Sequence, residues 1–335
     1  MKANICARRY LNVYKGWYSA YKNVMDVLHD LGIDVCISPH LNIQEVPDYA
    51  TVGIVDSNKD IYVYNHTYIE DIQENGFFTG KKCLFIKPTL PSPNHFTLDS
   101  IGYAAGSSIT YKKPNFVEYD SRPFFNNTAT DIINNRPNKW SDRDWCAFSE
   151  KETLDVPPNH ILVLGQLPQD ETVTKMSFGD HFKKLEDIVS IISHLENIVV
   201  KIHPHLLDPP ENEHVDFLAR YLETIEKWKA QGIVVLTGYT SLFDVLPYTK
   251  VAIVENSTSG LECLLHQVPV ISYGYPEYHW VTKDLRHLQQ LPAYLSDFSW
   301  YNYKEANSFT AWYFEQYLCS DFSSTKRRML EVFSE

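Results

Sequence analysis

The chain has 335 residues, enough for about two domains with separate cores. Its 42 acidic side chains outnumber 30 Lys and Arg, a formal charge of −12. That excludes a general nucleic-acid binder, which needs a basic footprint to neutralise phosphates. With 44% hydrophobic and 21% charged residues the composition is that of a globular protein, not of a disordered one. Residues Met1 to Arg9 carry no apolar run like that of a signal peptide, and no stretch approaches the ~20 apolar residues of a membrane span. None of the six cysteines forms a CxxC pair, so they read as reduced thiols of a cytoplasmic protein.

In chain order, Asn4–Ala7 reads as a strand. An amphipathic helix follows from Ser19 to Leu31, with Ala20, Val24, Val27, Leu28 and Leu31 at helical spacing and Gly32 as its stop. Ile33–Ile37, Val52–Val55, Ile61–Tyr64 and Cys83–Ile86 read as further strands. Lys112 to Asp155 is rich in Asn, Pro, Asp and aromatic residues and reads as loops and short helices, closing on a boundary at Pro157-Pro158.

Beyond that boundary strands and helices alternate. His160–Leu164, Ile198–Ile202, Ile233–Leu236, Val251–Val254 and Val270–Tyr273 read as strands. Phe182–Leu195, His214–Gln231, Ser241–Leu246 and Gly260–His266 read as helices between them. This is a doubly wound α/β pattern, in which ligands sit outside the carboxyl ends of the strands. Asn307–Leu318, with Phe309, Trp312, Tyr313 and Tyr317 at helical spacing, predicts a helix packing back on the first domain.

The chemistry-bearing residues follow those strand ends. Gln166-Leu-Pro-Gln-Asp170-Glu171 sets a carboxylate where it serves either as a helix cap or as a nucleophile or general base. In Lys201-Ile-His203-Pro204-His205 the proline constrains the first histidine. Two histidines at i and i+2 are compatible with a metal, but no motif supplies a third ligand, and Lys beside His suits an anion better. Glu255-Asn-Ser257-Thr258-Ser259-Gly260 joins a strand to a helix; its hydroxyls are either N-caps or donors to a phosphate. There is no Walker lysine and no GxGxxG. In the first half, Asp99 stands three residues before Gly102, as a turn acid or a catalytic one.

The sequence of these pieces resembles bacterial retaining β-Kdo glycosyltransferases of the capsule-linker and O-antigen type. The pieces are an acid near a Gly, a Gln-x-x-x-Asp loop, His-Pro, a Ser/Thr-rich turn and then Gly260-Leu-Glu262. The resemblance is best from about Leu162 to Tyr278. It implies a GT-B architecture, an α/β fold of two Rossmann-like domains facing each other across a cleft, here 1–155 and 156–304. Residues 305–335 would return to the first domain. It implies CMP-β-Kdo as donor, no cofactor or metal, and a glycan or lipid-linked glycan as acceptor, handled in the cytoplasm at the inner face of the inner membrane. Asp170 is then the nucleophile of a double displacement. His203, Lys201 and the turn Ser257, Thr258, Ser259 hold the donor's phosphate and carboxylate, beside Gln166. Gly238, Tyr239 and Thr240 lie near the base or ribose, and Asp99 handles the proton of the acceptor. The competing readings are a GT-B transferase using CMP-sialic acid or a UDP-sugar, a non-catalytic nucleotide-sugar-binding module, and a His-dependent metallohydrolase.

Overall fold

The computed structural model describes residues 2–7, 15–39, 60–65, 68–70, 82–92, 94–136, 154–177, 179–195, 197–203, 206, 215–236 and 240–334. The chain divides into two compact units. One is Met1–Pro114, Pro137–Ala147 and Ala311–Glu335; the other is Asn115–Arg136 and Phe148–Thr310. Asn115–Arg136 thus groups with the second unit, although it reads in sequence as part of the first. The reason is local packing: Phe116 meets Phe309 edge-on at 5.1 Å, and Ser308 Oγ donates to the Tyr119 carbonyl at 2.9 Å.

Among the described residues the first unit is built on a six-stranded sheet. Its strands are β1 (Lys2–Ala7), β2 (Asp34–Pro39), β3 (Ile61–Asn65), β4 (Lys82–Pro88), β5 (Phe96–Asp99) and a late strand β12 (Leu318–Cys319), in the order β12-β5-β4-β3-β1-β2. β1 to β4 run parallel, β5 is antiparallel to β4, and β12 is antiparallel to β5. Helix α1 (Lys15–Asp30) buries Ala20, Val24, Val27 and Leu28 against Val63, Leu84, Ile86 and Leu98. The helix forms because those apolar positions recur every three to four residues and share one face. The strand expected at Val52–Val55 lies outside the described residues.

The second unit has an all-parallel six-stranded sheet of β6 (His160–Leu164), β7 (Ile198–Lys201), β8 (Val234–Leu236), β9 (Thr249–Val254), β10 (Val270–Ser272) and β11 (Lys283–Asp284). Their order is β11-β10-β9-β6-β7-β8. The strands are near-continuous apolar runs because helices cover both faces of a parallel sheet. The helices that position the site are α2 (Glu171–Met176), α3 (His181–Ile192), α4 (Val215–Ala230) and α5 (Ser259–Leu265). In α3 the buried residues Phe182, Leu185, Ile188, Val189 and Ile192 pack on Ile161, Val163 and Val200, and Asp180 caps the helix by accepting from Lys183 N at 2.9 Å.

The C-terminal segment departs from a single helix over Asn307–Leu318. An α-helix spans Tyr303–Trp312, a wider π turn spans Tyr313–Tyr317, and β12 follows. The crossing into the first unit falls inside that helix, at 310/311 rather than at 304/305. Among the described residues no helix is long and apolar enough to cross a membrane.

Candidate active site

In the second sheet, β7 and β8 extend to one side of β6 while β9, β10 and β11 lie on the other. The strand order therefore reverses between β6 and β9. In open α/β sheets the ligand crevice opens at that switch, outside the carboxyl ends. The loops bordering it are Gly165–Asp170 after β6 and Glu255–Thr258 after β9.

A buried polar network ties these two loops together. Gln166 Nε2 donates to Asn256 Oδ1 at 2.9 Å and to Thr172 Oγ1 at 3.0 Å. Asn256 Nδ2 donates to the Thr172 carbonyl at 2.7 Å, which fixes the Asn256 amide and hence the Gln166 amide. Gln166 Oε1 is left buried without a partner. The backbone N–H of Gln166 donates to His181 Nε2 at 3.1 Å, so the lone pair is on Nε2 and Nδ1–H donates to Glu255. Lys184 Nζ reaches the other Glu255 oxygen at 2.5 Å. Burial alone would raise the Glu255 carboxyl; the bonds from His181 and Lys184 outweigh it and hold the group below its ordinary value.

Asp170 caps α2. Its Oδ1 accepts from Thr172 N at 2.8 Å and from Thr172 Oγ1, which itself accepts from Gln166. The carboxylate is thus oriented by the same network, and no described residue bonds Oδ2. Glu171, its neighbour, pairs with Lys175 at 2.8 Å along the helix.

The turn after β9 is fixed from outside. Ser259 N donates to Ser257 Oγ at 3.2 Å, and the buried Tyr278 hydroxyl donates to the Ser257 carbonyl at 2.5 Å. Gly260 and Gly274 permit this packing. A Cβ on Gly260 would lie 2.0 Å from the Tyr278 hydroxyl, and one on Gly274 would lie 2.8 Å from the Glu255 carbonyl. Ser257, Thr258 and Ser259 are half-buried at the edge of the crevice.

Lys201 ends β7 and is buried; burial pulls its ammonium down from 10.5 to about 8, against the upward pull of Glu262 on α5. His203 is half-buried two residues beyond β7, and its carbonyl accepts from Leu206 N at 3.0 Å. His205, Gly238 and Tyr239 lie outside the described residues, and Thr240 is half-buried after β8 at the outer edge of the sheet. Among the described residues no three His, Cys, Asp or Glu side chains converge as a metal site.

Asp99 requires a correction. β5 runs antiparallel to β4 and pairs Asp99 with Phe85, so Asp99 sits back from the edge where the parallel strands end. Its fully buried carboxylate is saturated. Oδ1 accepts from Ile101 N and Ser108 N at 2.9 Å and from Gly102 N at 3.3 Å. Oδ2 accepts from Ser108 Oγ at 2.6 Å and Tyr317 OH at 2.8 Å, with Arg328 Nη2 at 3.7 Å. The group anchors the loop after β5 to the C-terminal segment and has no oxygen to offer a substrate.

Sequence reasoning missed His181, Lys184 and Thr172, and gave Tyr278, on the strand-end segment Gly274–Tyr278, no role. The one local signal was Glu255, an acid directly after the apolar run Val251–Val254. A buried carboxylate requires partners. Those partners stand 71 and 74 residues upstream, where sequence does not reveal contact.

Capsule polysaccharide biosynthesis proteins match residues 94–290, more than half of the chain. The chain belongs to that family. Two solved structures share its fold over nearly its whole length. KpsC, beta Kdo 2,7 transferase, from Thermosulfurimonas dismutans, superposes with a TM-score of 0.51 at 17% identity, covering 99% of this chain and 98% of that one. The beta Kdo 2,4 transferase of KpsC from the same organism gives 0.50 at 13% identity, covering 93% and 90%. No curated protein sequence matches the chain. The fold is α/β of GT-B type, with two Rossmann-like units.

Proposed function

We propose that the chain is a retaining glycosyltransferase that moves β-Kdo from CMP-β-Kdo to a glycan or lipid-linked glycan acceptor during capsule polysaccharide synthesis. The observation that carries this reading is the strand-order switch between β6 and β9. The Asp170 loop borders one side and the Ser257–Ser259 turn the other, tied by the 2.9 Å Gln166–Asn256 bond. Both neighbours of like fold are named as beta Kdo transferases, which suits the same donor chemistry here.

The anomeric carbon C2 of Kdo carries a carboxylate, the ring oxygen and the CMP phosphate. As the C2–O bond to phosphate breaks, negative charge grows on the leaving group and the sugar becomes oxocarbenium-like. Hydroxyls of Ser257, Thr258 and Ser259, with His203 and Lys201, would face that charge; one well-placed donor is worth ~3 kcal/mol. Asp170 Oδ2 attacks C2 from the opposite face and CMP departs. The acceptor hydroxyl then attacks C2, releases Asp170 and gives its proton to a base other than Asp99. Two inversions retain the configuration. No metal or cofactor enters this route. A CMP-sugar donor suits a reaction in the cytoplasm, at the inner face of the membrane that holds a lipid-linked acceptor.

The capping bonds of Asp170 favour one second reading, a nucleotide-sugar-binding module in which Asp170 only closes α2. Incubation with CMP-β-Kdo and acceptor separates the two. The transferase releases CMP, and Asp170→Asn abolishes release while CMP still binds. A module binds CMP and releases none.

A further inference from the structure

We propose that Tyr275, backed by His279 and Trp280, is the stacking surface for the pyranose ring of the sugar being transferred. The inference rests on the donor-site reading above and adds to it a subsite on the loop after β10. Three observations carry it.

The first is a column of rings. Tyr275 stacks on His279 with centroids 4.2 Å apart at 27°, and His279 meets Trp280 at 4.1 Å. His279 Nδ1–H donates to the Pro276 carbonyl at 2.9 Å, which fixes the middle ring. Its Nε2 is consequently an acceptor, and it is buried without a partner, an orphan that water or a ligand hydroxyl would satisfy. The outermost ring, Tyr275, is 46% exposed. A single exposed tyrosine means little, but Tyr275 stands on the loop at the carboxyl end of β10 and backs onto a stacked pair of rings.

The second is anchorage. Gly274 N donates to the Glu255 carbonyl at 3.1 Å, and Tyr278 holds the Ser257 carbonyl. The column is therefore fixed to the same turn that faces the donor phosphate, so its ring face is positioned before any ligand arrives.

The third is strand order. β10 adjoins β9 on the side away from β6, β7 and β8. With the nucleoside toward β8 and the phosphate at the switch, the glycosyl group extends toward β10. One strand step is ~4.8 Å, about the width of a pyranose ring. The C–H face of such a ring suits the negative face of tyrosine.

The test compares donor and sugar-free product. In wild type, Tyr275→Ala and Tyr275→Phe, the KM for CMP-β-Kdo and the inhibition constant of CMP are measured with a fixed acceptor. Tyr275→Ala is expected to raise the donor KM about tenfold, the size of one aromatic stacking contact with its burial, and to leave CMP inhibition within twofold of wild type. Tyr275→Phe, which keeps the ring, should recover most of the loss. A donor KM unchanged in Tyr275→Ala, or CMP inhibition weakened in step with it, overturns the stacking role alone. A wild-type chain that neither binds CMP nor consumes CMP-β-Kdo overturns the donor reading, and the subsite with it.

Discussion

Replacing Asp99 by Asn is expected to cost stability before it costs chemistry. Asn keeps one oxygen for the three backbone N–H groups of Ile101, Gly102 and Ser108. It puts an NH2 where Oδ2 accepts from Ser108 and Tyr317, and it leaves the buried Arg328 without its nearby carboxylate. Hydrogen bonds to a charged group contribute roughly 1.5–3 kcal/mol each, and breaking a buried ion pair costs about 3–5 kcal/mol. Because Arg328 keeps Glu331 at 3.0 Å and the Leu98 carbonyl at 3.0 Å, the lower end, about 3 kcal/mol, applies. For a unit of this size that lowers the melting temperature by roughly 6–12 °C. Thermal unfolding of the full chain reads it. Tyr317→Phe should cost about 1 kcal/mol alone and less when combined with Asp99→Asn, since both changes remove the same bond. Folded Tyr317→Phe should turn over normally. An Asp99→Asn protein that melts like wild type yet has lost transfer would refute the anchoring role and restore Asp99 as a proton acceptor.

Three further outcomes follow from the second unit. Burial holds Lys201 at about 8 against 10.5, so from about pH 8 to 10.5 the unfolded chain binds the extra proton and stability rises with pH, by about 3 kcal/mol over the window. Lys201→Met should flatten that rise in urea unfolding; an unchanged slope would show that another group produces it. Gly260→Ala drives a Cβ into the Tyr278 hydroxyl, and overpacking of this kind costs about 1–3 kcal/mol. It should also weaken CMP binding by loosening the Ser257 turn, and intact stability with intact CMP affinity would contradict the packing account. Turnover should be the same with and without EDTA, and loss with chelator would revive a metal at His203 and His205.

Much of the second unit is legible from sequence because its strands are short apolar runs separated by amphipathic helices, each a local signal. The strand-end loops then follow from one topological rule; Asp170, His203, Ser257 and Thr258 stand on them, with Lys201 at the end of β7 and Ser259 at the start of α5. The strand order that brings Gln166 to Asn256, 90 residues on, is not local and was not legible. Asp99 misled for the same reason. Phe96–Asp99 is four residues long, and nothing in it states that it runs antiparallel to β4. Its partners Tyr317 and Arg328 arrive more than two hundred residues later. The Tyr275 column was hidden in a different way: the stacking of Tyr275, His279 and Trp280 depends on how the loop after β10 turns, which residue types and spacing do not state.

In the proposed double displacement Asp170 would form a covalent bond to the sugar. Intact-protein and peptide mass spectrometry during turnover of CMP-β-Kdo with a slow acceptor measures it directly. One Kdo is expected on the peptide that carries Asp170, absent from Asp170→Asn, which should transfer nothing while still binding CMP. Turnover with no adduct on that peptide, and near-normal transfer by Asp170→Asn, would contradict it.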